Sequence, residues 1–183
     1  MSSDIVVVGF GPVGRATTEA LIRRSAPVRV AQRSRPQDLP RGATFQACDV
    51  LDAGAVRQAV AGAQQVVVAI GFPYLGDTWR ASWPLAMENL IKACEASHAR
   101  MVFVDNLYMY GPQHDPLRED MPLTDDGIKP AVRAEVTRIW MAASAAGRVQ
   151  VAALRAPDFY GPAVTQSHLG ELAFGALACG KRA

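Results

Sequence analysis

Apolar residues along this chain follow two alternating rhythms. Short runs rich in valine and isoleucine are separated by longer stretches in which apolar residues return at helical spacing. The runs predict strands at Ile5–Val8, Val28–Ala31, Thr44–Cys48, Gln65–Ile70, Met101–Val104 and Val149–Leu154. The stretches between them predict helices at Pro12–Arg24, Ala53–Ala61, Trp79–Ser97 and from Pro130 to about Ala146, with a helical tail from Thr165. Arg23 and Arg24 suit a helix C-terminus, where cations meet the negative end of the dipole. In the long third helix, Leu85, Leu90, Ile91 and Cys94 are expected on the buried side, and Pro84 either starts or breaks it.

Strands that read as unbroken apolar runs, alternating with helices, predict a parallel sheet covered on both faces. Right-handed crossovers make this a doubly wound, Rossmann-type α/β fold. The polar, proline-rich stretch Pro112–Gly127 is the one long connection, and long loops in compact domains are often functional.

Composition narrows the picture. The chain has 183 residues, half of them hydrophobic, enough for one well-packed domain. Net charge is +2 with both signs interspersed, which argues against nucleic acid or an anionic membrane as partner. Cys48, Cys94 and Cys179 are odd in number and far apart, without metal spacing, which fits free thiols in a reducing cytoplasm. No apolar run reaches the length of a membrane span, and the start, Met1-Ser2-Ser3-Asp4, lacks the basic region of a signal peptide. His98, His114 and His168 are scattered and are expected at the surface or at caps.

The first chemical signal is Gly9-Phe10-Gly11-Pro12-Val13-Gly14, set directly between the first strand and the first helix. Gly9 permits the tight turn, Gly11 lets a pyrophosphate approach the backbone, and Gly14 lets helix and strand pack closely. The helix N-terminus adds free N–H groups for phosphates. An acid at the end of the second strand would bind a ribose 2′-hydroxyl. Here the chain reads Arg33-Ser34-Arg35, about 20 residues past the glycines, where arginine forks match a 2′-phosphate. The residues therefore favour NADP, with NAD as the alternative, and solvated loop arginines as the plainer reading.

The fifth strand turns polar at Asp105 and Asn106, then passes through Tyr108 and Tyr110 to Gly111-Pro112. Ligands bind beyond the carboxyl ends of strands in such sheets, so Asp105 and Asn106 are expected to face the cofactor crevice. Tyr110 is expected to pack in the turn, Trp79 and Trp83 on a helix face, and Glu119, Asp120, Asp125 and Asp126 in a solvated loop.

The glycine loop, "CDVLD", "VVVAIG", "ENLIKACEA", "VFVDNLYMYGP" and "LRAPDFYGP" occur in this order. In these motifs the chain resembles the extended or atypical short-chain dehydrogenase/reductase superfamily, in its NAD-dependent epimerase/dehydratase branch. The resemblance implies that Asp49 and Val50 contact adenine, that Ala69, Ile70 and Gly71 line the ribose and nicotinamide path, and that Pro157 sits near the nicotinamide. It also implies a small carbonyl or sugar-like substrate and a homodimer built on packed helices. The family's Ser or Thr falls on Asn106, its Tyr-x-x-x-Lys on Lys129 and Arg133, and an asparagine of the fourth-helix motif on Trp83. The usual proton-passing tyrosine is thus replaced. The remaining candidates are Lys129 as proton donor or oxyanion stabiliser, Asn106 as a hydrogen-bonding partner of a substrate carbonyl, and Arg133 as a holder of the nicotinamide ribose. Tyr108 is a substitute acid. For Lys129 and Arg133 a solvated helix start is the plainer reading.

Members of that family usually continue beyond the strand-six motif. The expectation is one nucleotide-binding domain over 1–183, with 164–183 as the start of a substrate-binding region whose apolar residues Leu172, Phe174 and Leu177 are under-covered. The functional reading is hydride transfer at a carbonyl or alcohol carbon. A catalytically silent dinucleotide-binding sensor or regulatory module, and a truncated product without function, remain as rivals.

Overall fold

The computed structural model describes residues 4–157, 159–164, 167 and 170–180. His168, Thr165 and the Leu172 side chain lie outside that description. Strands β1 (Ile5–Val8), β2 (Val28–Gln32), β3 (Ala43–Ala47), β4 (Gln65–Val68), β5 (Arg100–Asp105) and β6 (Val151–Arg155) alternate with helices α1 (Pro12–Arg23), α2 (Ala53–Val60), α3 (Gly76–Ser97) and α4 (Ile128–Ala145). A single turn of helix, α5 (Ala176–Ala178), follows six residues of wider helical turn, Gly170–Gly175. The sheet is fully parallel in the order β3-β2-β1-β4-β5-β6. Strand order reverses between β1 and β4, and the crevice at such a switch point is where this architecture binds ligands.

The two faces of the sheet are covered unequally. Alternate strand residues point to opposite faces. Val6, Val8, Val66, Val68, Met101 and Phe103 meet the apolar sides of α2, α3 and α4 in one continuous core. On the other face Val7, Val28 and Val67 meet Leu21 and Ile22 of α1. Toward β6 that cover runs out among the described residues. Val102 and Val104 are half-buried and Leu154, paired with Val104 in register, is 65% exposed. The expectation of a sheet covered on both faces is therefore met on one face and only in part on the other.

Three further expectations are corrected. Helix α3 starts at Gly76 and carries Pro84 in its interior. It persists because Trp79, Trp83, Met87, Leu90 and Cys94 form one buried stripe across the proline. Leu85 falls off that stripe and is 47% exposed. Helix α4 begins at Ile128, before Pro130, so Lys129 lies inside its first turn. His98 ends α3 in the left-handed conformation, as a capping residue. Phe174 and Leu177 are exposed, as expected of the tail.

Candidate active site

The glycine loop is a backbone construction. Gly9 has a φ of 93°, and a Cβ there would collide with the Ala69 carbonyl. A Cβ on Gly14 would collide with the Gly9 carbonyl, so the first turn of α1 lies directly on the loop. Around Gly11 the opposite holds. Nothing lies within 4 Å of where its Cβ would be. The two tight glycines shape the turn, and the open one leaves room at the helix N-terminus. Pro12 occupies the first helical position, where a missing N–H costs nothing.

Gln32 ties this loop to β2. The Phe10 N–H donates to Gln32 Oε1 (3.1 Å), and Gln32 Nε2 donates to the Ser34 carbonyl (2.8 Å). Gln32 thus stands where an acid would bind a ribose, and one amide holds both turns. The sequence alone shows only that no acid stands there. A second tie is Asn89 on α3, whose amide donates to the Val50 carbonyl (3.0 Å) and pins the turn after β3. Asp49 bonds the Leu51 N–H in the same turn (3.0 Å).

These turns enclose a cleft of about 500 Å3. Gly9, Phe10, Gly11, Arg33, Asp49 and Val50 line it, with Ala69, Ile70 and Gly71 on the β4 side. Pro12, Val13 and Gly14 shape it from behind without lining it. Ser34 accepts from Gln32, and Arg35 lies over the Phe45 ring, 5.9 Å from its centroid. Arg33 is therefore the arginine that reaches the cleft. Burial and the carboxylates of Asp49 and Asp52 push the Cys48 thiol up to about 11, so it borders the cleft as a neutral group.

Residues 71–76 lead from this cleft to a second, larger cavity of about 840 Å3. Tyr108, Lys129 and Pro157 line it. Pro157, expected near the nicotinamide, belongs to this second space. The Tyr74 and Tyr108 hydroxyls lie 3.2 Å apart in hydrogen-bond contact. Trp79 stacks on Tyr108 (5.9 Å, 23°) and meets Tyr74 edge-on (5.5 Å, 90°). The Lys129 ammonium sits 3.0 Å from the Tyr74 ring centroid, a cation on a ring face. Tyr74, unremarked in the sequence, is thus central to this cavity. No short motif marks it, and only its distance from Tyr108 does.

Asn106 lines neither space. Its Oδ1 accepts from the Tyr108 N–H (3.2 Å), a turn that sets the position of Tyr108. The expected crevice-facing role of Asp105 does not hold. Its side chain is wholly buried and accepts a hydrogen bond from Arg133 Nη2, while Arg155 Nε approaches to 3.7 Å. Arg133 is 1% exposed, away from both cavities, and so is neither a ribose holder nor a solvated helix residue. It lies one turn beyond Lys129, where α4 packs on the core. Its guanidinium is 4.1 Å from the Trp83 ring centroid and 5.1 Å from that of Phe103. Burial pushes the Arg133 pKa below its ordinary value, Asp105 raises it again, and Arg155 lowers it. Arg155 Nη1 also donates to the buried Tyr110 hydroxyl. The cluster anchors the β5 tip from beneath. Trp79 and Trp83 pack on the helix face as expected, and the loop acids Glu119, Asp120, Asp125 and Asp126 are exposed. Among the described residues, no group of His, Cys, Asp and Glu forms a metal site.

Residues 5–179 match the family described as NAD dependent epimerase/dehydratase. No curated protein matches the sequence. Among solved structures, the Bordetella bronchiseptica enzyme WbmH in complex with NAD+ is 19% identical, with a TM-score of 0.82 over 99% of this chain and 64% of that one. UDP-glucose 4-epimerase from Brucella ovis, in complex with NAD, is 18% identical, with a TM-score of 0.76 over 85% and 52%. Uronate dehydrogenase from Agrobacterium tumefaciens is 24% identical, with a TM-score of 0.69 over 82% and 59%. At these identities the likeness is one of fold. The chain spans between 52% and 64% of the length of these structures.

Proposed function

The chain belongs to the NAD dependent epimerase/dehydratase family, and from that premise we propose that it binds a nicotinamide dinucleotide in the cleft at β1 and β4 and acts on a carbonyl or alcohol carbon in the adjoining cavity. One observation carries the reading: Gly9 and Gly14 sit against backbone oxygens, while Gly11 opens onto free space at the start of α1. That is the cradle a diphosphate needs. The dinucleotide, when bound, supplies or accepts a hydride. Asp49 and Val50 border its adenine end, and Ala69, Ile70 and Gly71 the path toward the second cavity.

NADP is the preferred form. Gln32 replaces the acid that would bind a 2′-hydroxyl, and Arg33 reaches the cleft with Arg35 behind it. In the second cavity Tyr108 passes the proton at the substrate oxygen, and Lys129 offers positive charge to that oxygen. Asn106 holds Tyr108 in position. Residues 1–183 act as one dinucleotide-binding unit, with 164–183 the start of a substrate-binding region. No helix among the described residues is long and apolar enough to cross a membrane. The free thiols support a cytoplasmic protein. Leu85 on α3 and Met141 on α4, each about half exposed, support a homodimer through those helices.

The burial of Arg133 favours a second reading, a catalytically silent dinucleotide-binding module, because it withdraws one expected catalytic group. Titration of the purified chain with NADPH and NADH, by calorimetry, tests the binding both readings share. Tighter NADPH binding that falls about tenfold on Arg33→Ala, with NADH unaffected, supports the assignment. Binding of neither cofactor overturns it. Turnover with a carbonyl substrate that is lost on Tyr108→Phe separates the enzyme from the silent module.

A further inference from the structure

The second cavity has an unusual lining for a neighbour of proteins that act on sugars. Tyr74, Leu107, Tyr108, Leu117, Ile128 and Pro157 give its walls an apolar character. Three of them are held at the surface, not folded into the core: Tyr74 is 56% exposed, Ile128 49% and Leu117 43%. Such side chains in a concave wall mark a place where an apolar body is covered.

Charge points the same way. The described lining holds one cation, Lys129, and one carboxylate, Asp115. The Lys129 ammonium already rests on the Tyr74 ring. Among the described residues no arginine lines the cavity, although arginine forks are the usual partners of a diphosphate. The start of α4 is a poor substitute, because Pro130 removes a backbone donor from its first turn. Among the described lining residues a hydroxyl-rich sugar would find Gln113, Asp115, Lys129 and the phenols as side-chain partners. The phenol pair of Tyr74 and Tyr108 forms a single polar point in an apolar wall, and stacked Trp79 fixes it from below.

We infer that this cavity takes an uncharged carbonyl compound with a flat apolar body, an aryl or alicyclic ketone or aldehyde, in preference to a sugar nucleotide. The body lies against Leu117, Ile128 and Pro157, and the carbonyl oxygen accepts from the phenol pair. The inference rests on the reading of this cavity as the substrate side of a dinucleotide-binding protein.

Calorimetric titration of the purified full chain with acetophenone and, separately, with UDP-glucose tests it, each with and without NADPH. Saturable acetophenone binding is expected, weakened about tenfold or more by Leu117→Asp and retained by Leu117→Phe. UDP-glucose is expected to give no saturable binding. Ile128→Asn provides a second variant at an exposed position and is expected to weaken acetophenone in the same direction. UDP-glucose binding without acetophenone binding overturns the inference. So does binding of neither, or acetophenone binding that is indifferent to both polar substitutions. The two readings fail separately. Loss of NADPH binding with acetophenone binding intact sinks the dinucleotide assignment alone, and NADPH binding without acetophenone sinks the substrate class alone.

Discussion

The two cavities share one edge of one sheet, yet they are built from different materials. The cleft at β1 and β4 is mostly backbone: glycines pressed on carbonyls, tied by the amides of Gln32 and Asn89. The cavity beyond β5 is mostly side chain: Tyr74, Tyr108 and Trp79 in mutual contact, above buried Asp105 and Arg133 and partly buried Arg155. A backbone site depends on residues that are close in sequence and on the absence of side chains. A side-chain site depends on which distant residues meet.

The strongest way to break the side-chain half is Arg133→Met. It leaves Asp105 buried without its main partner, and removing one member of a buried ion pair costs about 3–5 kcal/mol. Chemical denaturation is expected to show that loss, and the β5 tip should loosen with it. Asp105→Leu added to Arg133→Met is expected to recover much of the stability, because the lone charge is then gone. If the double variant is as unstable as the single one, the cluster contributes packing and not charge compensation.

Gly9→Val tests the backbone half. It meets the Ala69 carbonyl and forces a branched residue to a φ of 93°. Strain of that kind costs about 1–3 kcal/mol. The expected outcome is lost NADPH binding with acetophenone binding retained. Equal loss of both would mean that the two cavities fold as one unit.

The smallest effect concerns the thiols. Burial pushes Cys94 to about 12 and Cys48 to about 11, against an ordinary value of 9.0. Both values are raised on folding, so the unfolded chain loses these protons first. Stability is then constant with respect to these groups below pH 9 and declines as pH rises through 9 toward 11 and 12. Denaturation curves across that range check the sign, and Cys94→Ala should flatten the slope. Exposed Cys179 should react with a thiol reagent ahead of the two buried cysteines in the native chain.

Much of the fold was legible because its signals are local. Val6, Val7 and Val8 form a short β-branched run that ends at a turn glycine, and Gly9 and Gly14 stand where the turn leaves no room for a side chain. Helix boundaries moved by a few residues at the starts of α3 and α4, and in α3 the packing of Trp79 and Trp83 outweighs the local signal at Pro84. The partly open sheet face near Leu154 was not legible, since each strand's apolar run looks the same whether or not a helix covers it.

What the sequence determined by itself is the alternating α/β plan, the parallel sheet and the glycine cradle, since each follows from residue type at short spacing. What only the tertiary structure decided are the meetings of distant residues. Arg133 reaches Asp105 across 28 positions, Phe10 reaches Gln32 across 22, and Tyr74 reaches Tyr108 across 34. A spacing motif carries no information about such pairs. The partner of a buried charge is chosen by burial, which removes water as the alternative and leaves only what the fold brings near. For that reason Arg133, a candidate for the cofactor by position in the motif, became part of the core, and Tyr74, without any motif, came to stand beside Tyr108.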